Sequence, residues 1–192
     1  LEVACETDFV ARGTSVSDLA ADALKAAGEE LSSPSASAAS AQLLEAVRTR
    51  CANETSAAQR ATGEKVSVRR VWGTQQQGAL FGHYTHENQG IARIAAAVSL
   101  KRLPSATGTV PADLPECLAL QIAGYKPKDR EDLLKQAFES FNNTKDTVAT
   151  VLKKHGLDVI DFTRMEVGEG VQVEQQDQAF VEEVNAILRK KD

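Results

Sequence analysis

Apolar residues first recur with a period of two. Leu1, Val3 and Cys5 alternate with Glu2, Ala4 and Glu6, which predicts a short strand. Thr7-Asp8-Phe9-Val10-Ala11-Arg12 and Gly13 follow, and the period then becomes helical. Leu19, Ala23, Leu24, Ala27 and Leu31 predict a helix over 17–31, with Ser15 and Asp18 resembling a capping box. Residues 32–41 are a low-complexity run of small side chains, read as a loop. Leu43, Leu44, Val47 and Cys51 share one stripe and predict a helix over 41–51. The polar, alanine-rich stretch up to Gly63 shows no such stripe. Alternation returns at 66–72, 79–85 and 91–100, with 86–90 as a loop. Three short strands joined by tight loops predict an antiparallel meander.

The remainder reads as mainly helical. One helix carries Leu114, Cys117, Leu118, Gln121 and Ile122, with Asp113 as its cap and a stop near Gly124. A second, capped by Asp129, takes in Leu133, Leu134, Ala137, Phe138 and Phe141. A third holds Val148, Val151, Leu152 and His155, and Gly156 suits a left-handed helix end. Strand composition returns at 159–167. A final helix from Asp177 is predicted by the stripe Phe180, Val181, Val184, Ile187 and Leu188. The order β-α-α-β-β-β-α-α-α-β-α predicts an α+β fold, not a doubly wound parallel sheet.

Composition narrows the class. Of 192 residues, 42% are hydrophobic and 26% charged, as in a globular chain, and the net charge is −5. No run reaches the ~18–20 apolar residues of a membrane helix, and no signal peptide pattern is present. The acidic balance argues against a non-specific nucleic-acid binder. Cys5, Cys51 and Cys117 are odd in number and far apart, so they read as reduced thiols in a reducing compartment. A start at Leu1 rather than Met points to a processed or trimmed chain with a segment ahead of it.

Candidate chemistry is sparse. Phosphate-loop, dinucleotide, zinc-protease and serine-hydrolase motifs are absent from the sequence. His83 and His86, three apart on a strand, point to opposite faces, so no metal site or other cofactor is expected. Arg69 and Arg70 likewise face opposite sides and read as sheet surface. A thiol enzyme using Cys5 is disfavoured, because Glu6 and Asp8 beside it would raise the thiol pKa. Thr7-Asp8-Phe9-Val10 stands out at a strand-to-helix junction. It admits two readings: Asp8 caps the helix while Phe9 packs into the core, or the turn projects a side chain from a rigid edge.

Residues 1–12, LEVACETDFVAR, resemble the signature that opens the core domain of the elongation factor Ts family. GEKVSVRRV at 63–71 resembles its second signature. GHYTHENQGIARIA at 82–95 is similar to its tyrosine-histidine hairpin, LALQIAGYKP at 118–127 to its MQIAA helix, and residues 147–170 to its closing helix-strand unit. The resemblance implies a core of two subdomains, 1–80 and 81–192, each a small antiparallel sheet packed with helices. It implies guanine-nucleotide exchange on the GTPase elongation factor Tu, with no active site in the exchange factor itself. The Asp8-Phe9 motif would enter the GTPase beside its Mg²⁺ site, with Phe9 as wedge, Asp8 orienting the junction, and Thr7 and Val10 setting the geometry. Gly63 matches a glycine in a loop that abuts the GTPase. His86 matches a partner-contacting histidine at the hairpin tip, and Glu87, Asn88 and Gln89 stand as an insertion before Gly90.

Only residues 128–146 separate the MQIAA-like helix from the closing helix, room for one helix of about four turns. The family's protruding coiled coil is therefore expected to be absent or reduced, as in its mitochondrial members. This favours the mitochondrial matrix over bacterial cytoplasm or plastid. The family's N-terminal helical module would precede Leu1. The alternative function is a chaperone or complex subunit that holds elongation factor Tu with little exchange activity.

Overall fold

The computed structural model describes residues 1–32, 40–104, 108–142 and 144–171. The helix predicted from Asp177 and most of the 32–41 loop lie outside them.

Strand β1 (Glu2–Ala4) leads through Cys5 and Glu6 into a single helical turn, α1 (Asp8–Ala11), and then α2 (Thr14–Leu31). Helix α2 begins three residues before the predicted start. Gly13, not Ser15, is its N-cap, and no side chain caps it. The buried side of α2 carries Val16, Leu19, Ala23, Ala26 and Ala27, a 3–4 spacing that keeps them on one stripe. Helices α3 (Ser40–Arg50) and α4 (Ala52–Thr62) are separated by a break at Cys51, which is buried. Strand β2 (Ser67–Arg70) then returns to pair antiparallel with β1. Val10, Leu19, Ala23, Leu43, Val47, Val66, Val68 and Val71 belong to one apolar cluster between this two-stranded sheet and its helices.

The predicted meander is redistributed. Residues 66–72 do not join the later strands, since β2 pairs with β1 more than sixty residues back. The sheet of the second half is β3 (Leu80–Asn88), β4 (Ile91–Arg102) and β5 (Leu157–Glu166), in the order β3-β4-β5 and antiparallel throughout. A meander forms, but its third strand follows three helices. On one face lies α5 (Leu114–Tyr125), so close that a Cβ on Gly82 would lie 2.0 Å from the Pro115 carbonyl oxygen. Helix α5 continues through Gly124 and ends at Lys126 in a left-handed conformation. Asp113 precedes it without a side-chain capping bond.

The helix predicted to run past Phe141 is only α6 (Arg130–Lys135). Asp129 does cap it, accepting from the Asp132 N–H at 2.9 Å. Gln136 turns extended as the chain bridges to Thr147, its carbonyl accepting from the Val148 N–H at 2.9 Å, and further groups beyond it are taken by Gln121, fully buried on α5. Its amide nitrogen donates to the Ala137 carbonyl (3.0 Å), and its oxygen accepts from the Ser140 hydroxyl (3.1 Å). Helix α7 (Val148–Lys154) is capped by Thr147, and Gly156 takes a φ of +62° as the chain turns into β5. Val98, Leu100, Leu114, Leu118, Ile122, Leu133, Phe138, Val148, Leu152 and Val159 belong to a second apolar cluster.

Polar contacts tie the two sheets' regions together. Glu2, only 8% exposed, accepts from both Arg69 and Arg70. The two arginines do not diverge as strand alternation predicts. The β1–β2 register slips between Glu2 and Val3, leaving Arg69 as an extra residue on β2, so both guanidiniums reach one carboxylate. Arg70 also donates to the Glu166 carbonyl at 2.8 Å and pairs with Glu169 at 3.2 Å. The Trp72 indole N–H donates to Asp161 on β5 at 3.0 Å. Among the described residues the architecture is α+β, with seven helices and two small antiparallel sheets.

Candidate functional site

Phe9 is 86% exposed, while Val10, the next residue of α1, is 8% exposed and in the first cluster. A one-turn helix with one buried anchor holds its neighbour outward, because successive residues on a helix differ by about 100° in direction. The reading in which Phe9 packs into the core is overturned. Asp8 is not the cap either. Thr7 is, with its hydroxyl oxygen accepting from the Val10 N–H at 3.3 Å, and Asp8 lies in the first turn.

Glu64, just after α4, reaches the same junction. Its carboxylate accepts from the backbone N–H of Glu6 (2.9 Å), the N–H of Thr7 (3.0 Å) and the Thr7 hydroxyl (2.5 Å). The Thr7 hydroxyl foremost, and the two backbone N–H groups, hold the Glu64 carboxyl below its ordinary pKa. Gly63 makes this reach possible. Its φ of +74° ends α4 in the left-handed region and turns the chain toward β1. Sequence reasoning singled out Gly63 and missed Glu64, since nothing local signals a partner 57 residues away.

The β3–β4 hairpin approaches from the other side. Its tip is the two-residue turn Gln89-Gly90, with φ of +52° and +78°. His86 therefore stands within β3, not at the tip as expected. Glu87 and Asn88 lengthen the strand by pairing with Ala92 and Ile91, so the inserted residues extend the ladder instead of widening a loop. The register slips between His86 and Glu87, leaving Arg93 as the extra residue on β4. Such a bulge re-aims a side chain, and Arg93 donates to Asp8 at 2.7 Å. Arg12, just beyond α1, donates to the Gln89 side-chain oxygen at 2.9 Å. Thr7, Asp8, Phe9, Val10 and, through Glu64, Gly63 thus share one corner. His86 is exposed on the hairpin, where its Nδ1 lies 3.2 Å from the Tyr84 hydroxyl.

Other chemistry is poorly served. Burial, then the nearby Glu64 charge, pushes the Cys5 thiol up, with Asp8 and Glu6 adding to it, which disfavours the nucleophilic thiolate. Among the described residues no group of three or more His, Cys, Asp or Glu side chains gathers as metal ligands do, and no helix is long and apolar enough to cross a membrane. Two open grooves along α2, of about 200 and 280 Å³ and sharing Asp22 and Glu54, both fall below the ~300–1,000 Å³ of small-molecule pockets.

Fold and site together define an α+β protein with an aromatic side chain held out from a clamped turn. The family model described as elongation factor TS matches residues 6–132, two thirds of the chain, and the chain belongs to that family of translation elongation factors. It is 29% identical over 222 aligned positions to elongation factor Ts of Aliivibrio fischeri (strain MJ11), covering 98% of this chain and 74% of the relative. It is 32% identical over 154 positions to elongation factor Ts of Aeromonas salmonicida (strain A449), covering 65% and 52%. For elongation factor Ts of Serratia proteamaculans (strain 568) the identity is 26% over 222 positions, covering 99% and 74%. An alignment of 222 positions exceeds the 192 residues available, so stretches of these relatives have no counterpart here.

Proposed function

We propose that this protein is a guanine-nucleotide exchange factor for elongation factor Tu, and that Phe9 is the wedge it inserts beside the GTPase's Mg²⁺ site. The observation that carries this reading is the 86% exposure of Phe9 on a turn anchored by buried Val10. A ring held outward by a buried neighbour and a clamped turn is pre-organised to enter a pocket on a partner, which lowers the ordering cost of binding. Asp8 orients the junction toward the partner, Thr7 and Val10 fix the turn, and Gly63 and His86 are further contact positions. Mg²⁺ and its phosphate contacts supply much of the nucleotide's affinity in such GTPases, so disturbing them speeds its departure. The coupling is reciprocal: nucleotide weakens factor binding by the same ratio as the factor weakens nucleotide binding. The factor catalyses no chemical step of its own.

The proposed division at about residue 80 is supported by the two apolar clusters, whose buried members run from Val10 to Val71 and from Ala96 to Val159. A matrix location rests on the short connection between α5 and α7, while the relatives named above are bacterial proteins. Immunolocalisation of the full-length protein in its source cells decides between them.

The test is fluorescent-GDP release from the cognate elongation factor Tu. Phe9→Ala and Asp8→Ala should each slow stimulated release about tenfold or more, the loss of roughly 1.4 kcal/mol of differential binding. Unchanged stimulation in both variants sinks the wedge. Tight binding by the unaltered protein without faster release would favour the holding-chaperone reading.

A further inference from the structure

We propose that Glu64 is a positioning residue for exchange: its carboxylate holds the Thr7–Val10 turn in the geometry that presents Phe9. It rests on the wedge role of Phe9 proposed above. Three donors of the junction converge on this one side chain: the Glu6 N–H at 2.9 Å, the Thr7 N–H at 3.0 Å and the Thr7 hydroxyl at 2.5 Å. The strap is reciprocal, because the Lys65 N–H donates to the Glu6 carboxylate at 3.4 Å. A charged acceptor makes each of these bonds stronger than a neutral one. The Thr7 hydroxyl spends its proton on Glu64 and offers its own oxygen to the Val10 N–H. Glu64 thereby fixes the group that caps α1.

The need for such a device follows from the size of α1. Four residues are too few to hold a helical turn by their own hydrogen bonds, because nucleation is unfavourable. Val10 anchors one side of the turn in the core, and Arg93 holds Asp8 from the hairpin. Without Glu64, the approach from Cys5 to Thr7 has water as its remaining acceptor. The groups involved are half-buried or exposed, so water can satisfy them. The turn then samples other conformers while the rest of the protein stays folded. Only the fraction of molecules with Phe9 correctly aimed is competent for insertion.

The experiment is a double-variant cycle in the fluorescent-GDP assay at saturating factor, using Glu64→Ala, Glu64→Gln, Phe9→Ala and Glu64→Ala combined with Phe9→Ala. Losing charge-assisted bonds of this kind predicts a roughly tenfold lower maximal release rate for Glu64→Ala. Glu64→Gln keeps an oxygen acceptor for the backbone N–H groups and should recover much of that rate. In the Phe9→Ala background, Glu64→Ala should cost much less than it does in the parent protein, because most of its effect passes through the ring. Thermal midpoints should stay near the parent value, and amide exchange should quicken at Glu6 and Thr7. A full additional loss in the Phe9→Ala background, or an unchanged rate in Glu64→Ala, overturns the positioning role and leaves the wedge standing. An unchanged rate in Phe9→Ala alone overturns the wedge itself, and the positioning role with it.

Discussion

Phe9 and Val10 are adjacent apolar residues with opposite surroundings, and stability separates them cleanly. Val10→Ala removes buried methyl groups and should lower stability by about 1–2 kcal/mol. Phe9→Ala removes a ring that is 86% exposed and should leave the urea midpoint nearly unchanged. Equal destabilisation by both would show that the ring is packed in solution. Adjacency alone cannot tell these two residues apart. The sequence singled out the turn because Thr7, Asp8, Phe9 and Val10 form an unusual run at a junction. It could not say which apolar side chain faces inward, since that depends on a cluster assembled from α2, α3 and β2. Glu64 and Arg93 were illegible for a related reason. Their roles consist of contacts 57 and 85 residues away.

At the scale of elements, apolar patterning places most helices and strands but does not specify which strands pair. Helices α2, α3, α5 and α7 and strands β4 and β5 fall where apolar spacing places them. The helix expected after Asp129 forms but stops at Lys135, because Ala137, Phe138 and Phe141 do not continue its stripe. Phe138 and Phe141 are buried, but from a non-helical segment tied to Gln121. Apolar spacing records which residues are inside, and here burial does not require a helix. The β3–α5 contact gives a sharp prediction at this scale. Gly82→Ala would set a methyl carbon 2.0 Å from the Pro115 carbonyl oxygen, so helix or strand must move. A loss of about 2 kcal/mol or more is expected in chemical denaturation. A loss below a few tenths would mean that α5 is not seated on β3 as described.

For the whole molecule, ion pairs join elements far apart in the chain, and pH should expose the one that ties β5 to the end of α5. Arg164 and then Lys126 hold the Glu166 carboxyl down to about 2, against an ordinary value of 4.5. A depressed pKa means that the stabilisation is present above about pH 4.5 and is lost as pH falls through about 2. The stability difference between the parent protein and Glu166→Gln should therefore be largest near neutrality and shrink between those values. Urea midpoints across pH 2–6 check this; a difference that grows toward low pH would refute the assigned partners. High salt should reduce it as well, since the carboxylate is 40% exposed.

The indole bond from Trp72 to Asp161 has a practical consequence. Trp72 is the single tryptophan of the sequence, and it lies where the chain leaves the first sheet and leans on the last strand of the second. Its emission is therefore an unlabelled optical gauge of that seam. A red shift that precedes the loss of helical ellipticity would mark the seam opening before either apolar cluster melts.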